Sequence, residues 1–63
     1  MFTFDAATAA RIIEEEAALA TLRGYPIEEV LAAIEGTEGI DDEESAFNAL
    51  MSAMYSLRPV GYL

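Results

Sequence analysis

The side chains able to do chemistry in this 63-residue chain are almost all carboxylates: 12 Asp and Glu stand against 3 Arg, a formal net charge of −9. Half of the acids, Glu35, Glu38, Asp41, Asp42, Glu43 and Glu44, fall within residues 35–44. A calcium loop needs oxygen ligands at alternating positions, a glycine at the sixth and a bidentate acid at the twelfth. No register of this run supplies that pattern, so no dedicated metal site is expected. Paired carboxylates can also exchange protons with a substrate, but only where a cleft pushes their pKa values apart. So short a chain has little interior from which to build such a cleft. The sequence has no His, Cys, Lys or Trp. That removes histidine bases, cysteine nucleophiles, thiolate zinc sites, disulfides, Schiff-base lysines and the phosphate-gripping P-loop lysine. The expectation is a protein without catalytic activity or cofactor.

What remains for the carboxylates is a surface. Glu14 to Glu16, Glu28, Glu29 and the 35–44 run form an anionic face that almost no positive charge dilutes. Its candidate contact residues are Glu14, Glu15, Glu28, Glu29, Glu35, Glu38, Asp42 and Glu43. Such a face suits a protein partner with a basic surface and repels nucleic acid directly. A second candidate surface is apolar: Phe47, Met51, Met54 and Tyr55, with Tyr62 and Leu63 of the C-terminal tail. Methionine and aromatic side chains suit adaptable interfaces, and here they would serve a homodimer.

Three helices are expected to position these groups. The first spans about 5–23, with Asp5 as N-cap, Phe4 packed beside it and Gly24 just past its end. Projected at 100° per residue, Ile12, Leu19 and Leu22 share one side and Ala9, Ile13 and Ala20 flank them, with Glu16 and Arg23 inside the stripe. The second helix spans about 26–35, opening on Pro26 and closing at Gly36, with Ile27, Val30, Leu31 and Ile34 at i, i+3, i+4, i+7. The third spans about 42–57. Asp41 and Glu44 fit a capping box, Phe47, Leu50, Met51, Met54 and Leu57 mark one face, and Arg58-Pro59 ends it. The fold class is therefore all-α, a single three-helix domain over residues 1–63 with an irregular apolar C-terminal tail.

Ala20-x3-Gly24-x5-Val30 has the spacing of helix-turn-helix DNA readers. The helix that would enter the groove, however, carries Glu28, Glu29 and Glu35 and no base. The same region resembles a ubiquitin-associated three-helix domain. Gly24-Tyr25 stands for that family's glycine-aromatic loop, Val30-Leu31-Ala32-Ala33-Ile34 for its second helix, and Ala46 with Leu50 for its third. Arg23, where that family usually has Met, and the long acidic loop depart from it, so the likeness implies a packing topology and not a partner. In size and charge the chain is similar to the small acidic proteins of phages and plasmids, such as anti-CRISPR and anti-restriction proteins. That likeness implies an inhibitor occupying a basic nucleic-acid-binding surface.

The apolar fraction, 54%, is too high for a disordered acidic chain. The uncharged run Ser45 to Leu57 is too short and too polar to cross a membrane, and the N-terminus lacks the basic and apolar blocks of a signal peptide. Without cysteines, a cytoplasmic location is the expectation.

Overall fold

The computed structural model describes residues 2–36 and 39–57. The Asp5 carboxylate accepts from the Thr8 N–H at 2.9 Å and opens helix α1, Ala6–Glu15. Phe4 packs against the core just ahead of it. Ala9, Ile12 and Ile13 form the buried face of α1.

The expected single helix over 5–23 is broken. Glu16 takes an extended conformation (φ −103°, ψ 117°), and the chain resumes as a 3-10 segment, Ala17–Gly24, with a second irregular residue at Leu19 (φ −102°, ψ 16°). The Glu16 N–H closes the last turn of α1 on the Ile12 carbonyl at 3.0 Å, and the Leu19 N–H begins the next turn on the Glu16 carbonyl at 3.0 Å. Length explains the break. A straight helix over these 19 residues would run roughly 28 Å, about 7 Å more than the 14 residues of the third helix beside it. Its far end would overhang. Folding back lets Leu19 and Leu22 join Ile12 in the core at 0% and 1% exposure. Burying two leucines stabilises by about 3–6 kcal/mol as an upper estimate. Each forgone helical hydrogen bond costs only about 1 kcal/mol. The break also moves Ala20, Glu16 and Arg23 out of the stripe; all three are exposed. Gly24 is not the left-handed residue expected past a helix end, since positive φ occurs only at Gly36 and Gly39 among the described glycines.

Helix α2, Ile27–Ala33, starts one residue later than expected because Pro26 is its cap (ψ 139°) and not its first helical residue. Val30 and Ile34 are buried, with Ile27 and Leu31 half-buried beside them. The Ile34 and Glu35 N–H groups bond back to Leu31 and Ala32, both at 3.2 Å, and Gly36 at φ 91° turns the chain away.

Helix α3, Glu43–Ser56, is capped one residue later than expected, by Asp42 and Ser45 in place of Asp41 and Glu44. The Asp42 carboxylate accepts from the Ser45 N–H at 2.8 Å, and Ser45 Oγ accepts from the Asp42 N–H at 3.1 Å. The apolar stripe is also rotated. The residues that α3 buries are Ala46, Ala49, Leu50 and Ala53, while Phe47, Met51, Met54 and Leu57 are half-buried along it. Alanine at the contact lets α3 lie close to α2 and to the 3-10 segment. At its C-terminal end the Tyr25 hydroxyl donates to the Leu57 carbonyl.

The all-α class holds: every regular element among the described residues is helical, in four pieces where three were expected. One cluster of buried side chains joins all four. No helix among the described residues is long and apolar enough to cross a membrane. The tail, residues 58–63, lies outside the described residues.

Candidate functional site

The break at Glu16 does more than fold the chain back. It leaves Glu14, Glu15 and Glu16 at the C-terminal end of α1, and the start of α3 brings Glu43 and Glu44 opposite them. Between the two ends lies a cleft of about 240 Å³ lined by Ile12, Glu15, Glu16, Glu43, Glu44 and Phe47. Its walls are carboxylates and its apolar lining is Ile12 and Phe47. Arg11 ties the walls together, donating through Nη1 to Glu15 Oε1 at 3.1 Å and through Nη2 to Glu43 Oε1 at 2.7 Å. The hydrogen bond to Glu43 raises the guanidinium pKa further above its ordinary value. Arg11 is 43% exposed and its partners more so, which makes this a surface network of modest energy. Four carboxylates against one guanidinium leave the cleft a net charge of −4 + 1 = −3.

Arg23 is committed elsewhere, donating from Nη2 to the Glu14 carbonyl at 3.1 Å. A cation at that carbonyl opposes the negative end of the α1 dipole. All the carboxylates among the described residues are exposed. Two have their pKa lowered, Asp5 by the Thr8 backbone N–H and Asp42 by the Ser45 backbone N–H, so both act as helix caps before they act as surface charge. No three Asp or Glu side chains among the described residues stand close enough together to hold a metal ion.

Of the expected acidic contact residues, Glu15 and Glu43 line this cleft and Glu14 lies beside it. Asp42 sits at the edge, bonded to Ser45. Glu28 and Glu29 belong to a different place, an open groove with Ala32, Ala33 and Leu57 between α2 and the end of α3. Glu35 follows α2, and Glu38 lies outside the described residues. The anionic face is thus two separate patches. The expected contact residues left out Glu16, placed in the helical stripe, Glu44, assigned to the cap, and Arg11. The spacing of Arg11 to Glu15, i to i+4, was the available signal for the first half of the bridge. Nothing local foretold the second half.

The apolar candidates Phe47, Met51 and Met54 are half-buried against the core, and Tyr55 is the large hydrophobic residue left 65% exposed. Tyr62 and Leu63 lie outside the described residues. Phe47 belongs to both candidate surfaces, since it lines the acidic cleft and borders the methionine rim. No family model matches the chain, and no curated protein or solved structure is found to resemble it.

Proposed function

We propose that this chain is a non-catalytic, protein-binding protein that occupies a basic, nucleic-acid-binding surface of its partner through its carboxylates, as an inhibitor would. The observation that carries the reading is the cleft between α1 and α3, where four exposed carboxylates surround an apolar lining with a net charge of −3. An arginine or lysine of a partner suits such a place, its aliphatic stem on Phe47 and Ile12 and its charge among the glutamates. Of the two described arginines only Arg11 stands among these carboxylates, and its single charge leaves the cleft strongly negative.

The test is displacement of labelled duplex DNA from a panel of purified basic DNA-binding proteins, read at low and high salt. Binding through charge weakens steeply as salt rises and acts mostly on the association rate. The variant Glu16→Gln, Glu28→Gln, Glu29→Gln, Glu44→Gln changes side chains that make no hydrogen bond or ion pair among the described residues and takes the charge from −9 to −5. It should displace DNA far less well with helicity preserved. Equal displacement by this variant, or none by the parent, would overturn the reading.

A second reading is favoured by the exposed Tyr55 beside half-buried Met51 and Met54: a homodimer formed through α3 and the tail. It predicts self-association that survives high salt and is abolished by Met51→Glu.

A further inference from the structure

The join between α1 and the 3-10 segment sets local preference against the fold. Residues 14–20, Glu-Glu-Glu-Ala-Ala-Leu-Ala, are all strong helix formers, and no glycine, proline, β-branched residue or Asx stands at the break. The extended Glu16 separates the Ile13 and Glu14 carbonyls from the Ala17 and Ala18 N–H groups that would bond them in a continuing α-helix. The Glu14 oxygen takes the Arg23 guanidinium in exchange. Electrostatics favours continuity as well. Glu14 and Glu15 occupy the last turn of α1, Glu16 is its C-cap, and no basic residue belongs to that turn. There the helix dipole is unfavourable to negative charge, and in mid-helix that penalty disappears. The broken form is held by burial of Leu19 and Leu22.

We infer that Glu16, together with the kink at Leu19, is a hinge between this broken form and a continuous helix, and that the continuous form is completed by a second copy of the chain. Straightening swings the 3-10 segment, α2 and α3 away from their own α1. The buried side chains Ala9, Ile12 and Ile13 of α1 then lose their cover. The surface shaped to replace it is the same set of elements from another copy. Mutual exchange rebuilds the α1–α2 and α1–α3 contacts between chains, the low-cost route to a dimer that a hinge provides.

Ala17→Pro separates the two forms. Proline requires an extended residue before it, which Glu16 already is, and it suits the first position of a helical segment, which Ala17 occupies. In a continuous helix the same proline would be an interior breaker. Ala17→Gly with Ala18→Gly provides a second variant: glycine lowers the continuous helix, where both positions are interior, by up to a factor of about 20 per chain, and costs less in the broken form, where they open the 3-10 segment. Each protein is unfolded in guanidinium, refolded at high concentration and measured by light scattering. The parent should yield a species of twice 6.8 kDa that persists on dilution, because its release requires reopening the fold. Ala17→Pro should yield none, the double glycine variant roughly tenfold less or lower, and Met51→Glu as much as the parent. A parent that refolds only as monomer overturns the hinge, as does a slowly dissociating dimer that survives in both the proline and the glycine variants.

Discussion

The two walls of the acidic cleft are built from the same residue type and stand in opposite electrostatic positions. On the α3 side, Asp42, Glu43 and Glu44 crowd a helix N-terminus, where the dipole favours them and Ser45 completes the cap. On the α1 side, Glu14, Glu15 and Glu16 crowd a helix C-terminus, where the dipole opposes them. Arg11 reaches across and Arg23 covers a carbonyl, offsetting part of that repulsion. Charge count alone does not tell how a carboxylate bears on stability. One wall is negative because its helix benefits. The other is negative at a cost to its helix.

The largest expected effect removes what the walls share. Leu50 is fully buried in the core cluster to which α1 and α3 both contribute, and Leu50→Ala should cost about 3–5 kcal/mol. A domain of this size has net stability of about that amount. Helical circular dichroism should then be largely lost at room temperature; a variant that stays folded would show that each wall stands on its own packing. Next comes the contrast itself. Asp42→Ala should lower Tm by about 4–8 °C, while Glu16→Gln across the cleft should raise it by about 1–4 °C. Effects of the same sign in thermal melts would show that the helix dipole does not distinguish the two walls.

Acid acts on caps and surface charge in opposite directions. Asp5 and Asp42 have folded pKa values below the ordinary 3.8, so their contribution is full above that value and lost as pH falls through the folded values. The overall field acts the other way, because proton uptake by surface carboxylates relieves the repulsion at −9. Tm should therefore be higher near about pH 5 than near pH 8, then fall below about pH 4 as the caps titrate. A monotonic decline from pH 8 downward would mean that carboxylate hydrogen bonds outweigh the field throughout. The smallest effect concerns the end of the 3-10 segment. Gly24 has no positive φ and open space where a Cβ would lie, so Gly24→Ala should stabilise by about 0.4–1 kcal/mol. A loss in the denaturant midpoint would show that this end depends on glycine after all.

The same two regions differ in how far they could be read without coordinates. The α3 side is written locally: an Asp and a Ser three residues apart sit just ahead of apolar residues at helical spacing, and the helix ends within a residue of its expected limits. Even there the cap was displaced by one, because Asp41 with Glu44 and Asp42 with Ser45 both have the spacing of a capping box and the second pair forms it. The α1 side carries no local mark of its break. Its cause is the length of α3 and the need to bury Leu19 and Leu22, a contest between distant segments that a helical projection cannot represent. The cleft exists because of that break, so its residues were legible one by one while their arrangement was not. The rotated face of α3 has a similar origin. Large side chains draw the eye in a hydrophobic stripe, yet the closest approach of two helices is made by the smallest ones.

That face constrains how the molecule can change over generations. Ala46, Ala49 and Ala53 are 0%, 6% and 0% exposed. Almost every replacement there adds volume, and an overfilled contact typically costs about 1–3 kcal/mol. Drift at these three positions is thus one-sided, confined to glycine, serine and little else, whereas the glutamates lining the cleft can be exchanged without disturbing any neighbour's volume. A lineage of this fold would keep a nearly invariant seam of small residues and vary freely along its charged rim. Its surface charge could be retuned while the scaffold stayed the same.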